Sequence, residues 1–359
     1  VLGRGGTTVT RIPTPSVGRS GYRAVVSIRA GTRGGSVLGL VVLGAVVPGL
    51  LGGCAGEDLS KANFERTTVR AEPRTGQGAV PAGPIDDPAV ALERLRGVDA
   101  CALLSGPAVS GYTEQEDPRR VDWGVCRRTL VDVGGKEFSL WLDLGQTSSA
   151  TDATGEVAGL PLVERTDGDT TCYATAITSR ETDLGITVWA DYPDGGDSCG
   201  TATSVLAGVV ERLRTDPPSA EQPEGSLREA DPCGVVSDDV RASVFDGEST
   251  ARPAGLHVCA LGEGRATLRV TFRVGFPIQD APEDGERITL AGGATAVREP
   301  GTTETAECDV RWQHRGIDEY EAELVGLSYY DYSEAADTAS ACAHVTRVAE
   351  DVMTTLPSG

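Results

Sequence analysis

Apolar and polar residues alternate along two stretches of this chain and fall at helical spacing along two others. Phe138, Leu140, Leu142 and Leu144 share one face of a strand over 136–144. Leu268, Val270, Phe272 and Val274 alternate with Thr267, Arg269, Thr271 and Arg273. Period-two alternation of this kind predicts a sheet with one buried and one wet face. Residues 123–133 form the preceding strand, turned back through Gly134-Gly135, a hairpin signal. Further strands are predicted over 160–165, 171–179 and 184–190, and again over 294–299, 307–314 and 320–330. Val205, Leu206, Val209, Val210 and Leu213 make a helical stripe beginning near Cys199. Val345, Val348, Val352 and Leu356 do the same after Cys342. Asp99 and Asp231 are placed to N-cap a short opening helix in each unit. Laying each helical stripe on an apolar sheet face gives a two-layer, mainly antiparallel α+β unit.

The elements recur because the chain repeats itself. The segment 98–105 (VDACALLS) resembles 230–237 (ADPCGVVS) at an offset of 132. Cys126 and Cys259 are 133 apart, Cys172 and Cys308 are 136 apart, and Cys199 and Cys342 are 143 apart. Asp191-Tyr192 matches Asp331-Tyr332 at 140. A slowly growing offset implies two homologous tandem domains with small loop insertions, each large enough for its own core. The expected layout is a signal segment over 1–53, a flexible tether over 54–88 and repeat domain one over 89–214. A linker over 215–229, with Pro217-Pro218 and Pro223, then leads to repeat domain two over 230–359.

The first 53 residues carry six arginines and no acid, followed by an apolar run from 37 to 51. That run is too short for a spanning helix, which needs roughly 20 residues, and reads as a secretory signal. Leu51-Gly52-Gly53-Cys54 reads as a lipobox, with Cys54 the lipidated residue. Two acyl chains on that cysteine would anchor the protein to the outer face of the cell membrane. No Arg-Arg pair occurs in this segment, which favours general secretion. The chain begins with Val1 and contains only two lysines, Lys61 and Lys136, against 30 arginines. Both features are expected of a GC-rich actinobacterial gene with a GTG start, the true start falling as far downstream as Val25 or Val26.

Composition narrows the partners. The net charge is −21, and −27 once the signal is removed. Such a surface repels nucleic acid and anionic lipid, and points to neutral or cationic partners if it selects any. Nine cysteines leave eight after lipidation: Cys101, Cys126, Cys172, Cys199, Cys233, Cys259, Cys308 and Cys342. An even number outside the cytoplasm reads as disulfides. Each set of four allows three connectivities. Pairing first with second and third with fourth is favoured, because each bridge then pins a terminal helix to a strand. No Cys-x2-Cys spacing supports zinc, so no metal and no cofactor are expected.

Catalytic signals are sparse. His257, His314 and His344 all lie in the second repeat, and no nucleophile elbow or His-Glu-x-x-His motif is present. Acidic loops at Asp191, Asp194 and Asp197, and at Asp280, Glu283, Asp284 and Glu286, lack the calcium-loop spacing. The recurring Asp191-Tyr192 and Asp331-Tyr332 pairs follow a strand and precede the cysteine-bearing helix. They are the candidate cleft residues, weighed against tyrosines that close the edge of a core.

The Asp231-Pro232-Cys233-Gly234-Val235-Val236 opening resembles an actinobacterial lipoprotein family of unknown function. Its domains start with Asp-Pro-Cys and end with a cysteine-bearing helix. Asp99-Ala100-Cys101 departs from that pattern where proline becomes alanine. The arrangement is also similar to the extracellular sensor domains of mycobacterial serine/threonine kinases, which carry two disulfides around a cleft. The resemblance implies a surface-exposed, non-catalytic role. The expected function is therefore a membrane-anchored extracytoplasmic module that binds or senses a small ligand. The alternatives are a structural lipoprotein docking an envelope protein and, less favoured, an extracellular hydrolase.

Overall fold

A computed structural model describes residues 78–359, except 246, 248, 263, 280, 281, 283, 284 and 302–304. The signal segment, the lipobox with Cys54, and the tether up to residue 77 lie outside the described residues, as do Asp280, Glu283 and Asp284. The described residues belong to one compact unit, of α+β class, with two antiparallel sheets.

The first half contains α1 (Leu92–Arg96), α2 (Ala100–Leu103), β1 (Thr113–Glu114), β2 (Arg119–Asp122), β3 (Val125–Val131) and β4 (Glu137–Thr147). It continues with β5 (Gly155–Val157), β6 (Leu160–Asp167), β7 (Thr171–Ser179), β8 (Leu184–Asp191) and α3 (Ser198–Thr215). The second half contains α4 (Asp238–Val244), β9 (Ala251–Gly255), β10 (Val258–Leu261), β11 (Ala266–Gly275), β12 (Glu286–Thr289), β13 (Thr295–Pro300), β14 (Ala306–Gly316), β15 (Ala322–Asp331) and α5 (Thr338–Thr355).

The two sheets share one topology. The eight-stranded sheet runs β3-β4-β8-β7-β6-β5, with β1 and β2 both on the free edge of β3. The seven-stranded sheet runs β9-β10-β11-β15-β14-β13-β12. Adding seven to each strand number from β2 to β8 converts the first order into the second. In both, the last strand is inserted in the middle of the sheet, beside the long hairpin strand. The helix that follows, α3 or α5, packs across the central strands. Phe138, Leu140, Leu142 and Leu144 point into the first core, and Leu268, Val270, Phe272 and Val274 into the second.

Four disulfides fasten helices and turns to strands. Cys101–Cys126 ties α2 to β3 and Cys172–Cys199 ties β7 to α3. Cys233–Cys259 and Cys308–Cys342 do the corresponding work in the second half. One expected element differs. Asp99 caps α2, its Oδ1 accepting from the amides of Cys101 and Ala102. Asp231 caps no helix: residues 232–236 form turns, and the first helix of the second half starts later, capped by Ser237. Gly234 replaces Ala102 inside the first turn, where glycine is unfavourable; Pro232 replaces Ala100 at the first helical position, which tolerates proline.

The segment expected to be a linker is laid against both halves. Asp99 N donates to Pro218 O at 2.9 Å and Ala220 N to Gly97 O at 2.9 Å. Further along, Ser226, Leu227 and Arg228 are buried. Glu323, 1% exposed, accepts from Ser226 Oγ at 2.7 Å and Leu227 N at 2.8 Å, and pairs with Arg315.

Candidate functional site

The two halves meet through their equivalent hairpin tips. Trp123 and Leu256 each stand three residues before the second cysteine of their half. Trp123 is buried in the core of the second half, and Leu256, 6% exposed, in the core of the first. Glycines make the close approach feasible. A β-carbon at Gly145 would fall 2.4 Å from the Leu256 amide nitrogen, and one at Gly124 would fall 2.2 Å from a Leu256 methyl. The indole of Trp123 lies 5.1 Å from the His257 ring. Reciprocal exchange of the same element is the pattern of an isologous interface.

The polar groups around this exchange are nearly all committed. Asp122 Oδ1 accepts from Trp123 N at 2.7 Å and, across the halves, from Val274 N at 2.8 Å. Burial pushes the Asp122 carboxyl up to about 6, against the opposing pull of those two amides. Burial also raises Asp143, whose Oδ1 accepts from Gly145 N. His257 Nε2 sits 2.6 Å from Arg228 O, so that nitrogen carries the proton and donates. Burial drives the His257 pKa down to about 3, reinforced by the neighbouring Arg96 and Arg228 charges.

Two arginines occupy equivalent places, each three residues before its half's opening aspartate. Arg96 is buried, donates from Nε to Leu256 O at 2.9 Å and pairs with Asp231 at 3.0 Å. Arg228 is 9% exposed, and among the described residues its guanidinium makes no ion pair or hydrogen bond. Its pKa is lowered, first by burial and then by the Arg120 charge, while the carboxylates of Asp99, Glu323 and Glu229 pull the other way without reaching ion-pair distance.

Arg228 lines a cleft of about 620 Å³ between the halves. Asp99, Arg120, Asp122 and Trp123 wall it from the first half; Arg315 and Glu323 wall it from the second. Arg120 is paired with Glu321 and Arg315 with Glu323. The volume lies within the ordinary range for small-molecule sites.

The residues expected to line a cleft sit elsewhere. Tyr192 is 2% exposed, stacked on Phe138 at 4.4 Å, with its hydroxyl 3.1 Å from Thr201 Oγ1. Tyr332 is 61% exposed. The ladders explain the contrast. Cys172 faces Ala190, and its counterpart Cys308 faces Tyr329, so Asp191 corresponds to Tyr330 rather than to Asp331. A shift of one residue turns a side chain to the other face. Asp191 accepts from Thr171 Oγ1 and Asp331 from Ser333 N, so the four residues are not brought together. Asp197 caps α3, and Glu286 accepts from Arg298. His314 Nε2 lies 2.9 Å from Gly225 O, and the His344 ring meets Tyr329 edge-on.

A second feature escaped the sequence pattern. On the wet face of the first sheet, Arg127 lies over Trp141 at 5.2 Å, Trp141 stacks on Trp189 at 5.1 Å, and Tyr173 follows at 5.7 Å. Both faces of Trp141 are thus covered. The cleft arginine could have been found from the repeat itself, since Arg96 and Arg228 share the 132-residue offset of the opening motif. Comparisons with family models, with curated proteins and with solved structures found no match.

Proposed function

We propose that this chain is a lipid-anchored, non-catalytic binding or sensing module of the cell envelope, built by duplication of one α+β unit. Its ligand enters the cleft between the two copies. The cleft carries this reading: about 620 Å³, walled by both halves and lined by Arg228, which is buried and makes no ion pair among the described residues. Four disulfides agree with an oxidising, extracytoplasmic setting. The arrangement differs from a cleft inside each repeat, because neither copy alone encloses the space. The full-length protein, purified from its host in detergent and examined by native mass spectrometry, should retain a small molecule that Trp123→Ala releases. Wild-type protein that carries no small molecule under conditions preserving the fold would refute the cleft. Replacing Cys54 with serine should move the protein from the membrane fraction to the medium; retention in the membrane would refute the anchor. A shallower groove of about 300 Å³, bordered by the exposed Phe276 and Tyr320, favours the second reading of a surface docked to an envelope protein.

A further inference from the structure

We infer that Arg228 forms an oxyanion subsite in this cleft, gripping a carboxylate or phosphate group of the ligand. The inference rests on the cleft reading above and adds the chemical class of what the cleft takes.

The argument is one of unequal copies. Arg96 and Arg228 are equivalent by sequence, and both are buried at the junction of the halves. Arg96 is neutralised by Asp231 and further satisfied by Leu256 O. The acid equivalent to Asp231 is Asp99, whose Oδ1 accepts from the amides of Cys101 and Ala102 at the start of α2. Among the described residues, no carboxylate comes within ion-pair distance of Arg228. Asp99, Glu323 and Glu229 favour its charge from a distance, but none of them supplies the direct hydrogen bonds that a guanidinium makes in a close pair. Arg228 lines the cleft and none of its nitrogens is both buried and unpartnered among the described residues, so a bidentate oxyanion in the cleft would fit its planar fork better than water does. The other cleft arginines are already paired, so Arg228 is the cation left over for a ligand.

The overall acidity of the chain sets a limit on size. At net charge −21 it repels a polyanion. A single carboxylate or phosphate held at Arg228 shares the cleft with Asp99, Asp122, Glu221 and Glu323, whereas exposed charges more than about 8–10 Å away are screened at physiological salt. The subsite thus selects a small ligand with one anionic group.

The test uses full-length protein in detergent, labelled with 5-fluorotryptophan, in chloride-free buffer at constant ionic strength. The chain has four tryptophans, and Trp123→Phe assigns the resonance that reports the cleft. Sodium phosphate and sodium acetate serve as separate probes. The expected result is a saturable shift of the Trp123 resonance by one or both. Arg228→Gln should weaken it by about tenfold or more, the effect of losing a charge-assisted hydrogen bond. Arg228→Lys should give an intermediate loss, and Arg252→Gln, on an exposed strand, none. The preferred probe separates a phosphate-bearing from a carboxylate-bearing ligand. Absence of a saturable shift, or equal affinity in folded Arg228→Gln, overturns the subsite. Should Arg228→Gln fail to fold, an unchanged affinity in Arg228→Lys overturns it. A co-purified neutral compound that shifts Trp123 would sink the anion subsite and leave the cleft standing. A Trp123 resonance indifferent to every co-purified compound would sink both.

Discussion

Leu256 belongs to the second half by sequence and to the first half by packing. Truncating it to alanine therefore damages a core on the far side of the chain. The side chain loses three carbons, worth about 2.4 kcal/mol at roughly 0.8 kcal/mol per buried methylene. The vacated space is bounded by the backbone at Gly124 and Gly145, which cannot collapse as side chains do, so part of a cavity remains. The expected cost is about 3 kcal/mol, inside the range for buried leucine truncations. Hydrogen exchange read by mass spectrometry should show the loss. Amides of β3 and β4 in the first half should lose protection as much as those of β9 and β10. Trp123→Ala should do the reverse, loosening β10 and β11. If Leu256→Ala costs under about 1 kcal/mol, or if faster exchange is confined to β9 and β10, the reciprocal insertion does not hold the halves together.

Other expectations follow from the same interface. Asp122 has a folded pKa raised from 3.8 to about 6, so it contributes stability at low pH that is lost as pH rises through that window. Relative to wild type, Asp122→Asn should gain stability between pH 4 and 6, by at most about 1.4 kcal/mol per pH unit; urea titrations at each pH read the slope, and a flat difference refutes it. His257 has a folded pKa lowered from 6.5 to about 3, so wild type should lose stability as pH falls through that range. His257→Gln, which keeps an amide donor for Arg228 O, should lose less, and an equal loss would count against a buried neutral imidazole. Glu323→Ala should cost about 3 kcal/mol by leaving buried donors unpaired, and should expose residues 215–229 to protease; unchanged cleavage would deny that this carboxylate fastens the segment. Opening any one disulfide by paired serine substitution should cost about 3 kcal/mol in denaturant titrations, given loops of 25 to 34 residues, and an unchanged midpoint would speak against a constraining bridge.

The central strands and both long helices were legible because one face of each is buried against a single layer. β7 spans the segment the alternation implies, and α3 and α5 start beside the cysteines that announce them. The edge strands β1, β2, β5, β9 and β12 were not legible. They are short and largely polar, and β9 contains Pro253, which an edge tolerates and an interior strand does not. The Asp-Tyr pair misled for a related reason. Sequence identity aligned 191 with 331, whereas backbone pairing is counted from the cysteines and aligns 191 with 330. The cleft left no local pattern because its walls come from three separate segments, 99–125, 219–228 and 315–323. What the sequence does hold is a large apolar residue beside glycine at each hairpin tip, Trp123-Gly124 and Gly255-Leu256. A bulky side chain where a turn would ordinarily be polar is the mark of a tip that inserts somewhere.

The two arginines stand beside openings that fold differently. The first half has Ala100 and Ala102 after its opening aspartate, and the second has Pro232 and Gly234. In the first half α2 forms, and a helix start needs an acceptor for its unpaired amides. Asp99 supplies it for two of them. In the second half turns stand in place of that helix, and Asp231 Oδ1 accepts from one amide only, Cys233 N, while also meeting Arg96. The aspartate that caps a helix spends its Oδ1 on two amides, and the one that does not shares its Oδ1 between one amide and a guanidinium across the junction. Two arginines at the same offset thus differ in one respect: Arg96 is met by the opening aspartate of the other half, and Arg228 is not.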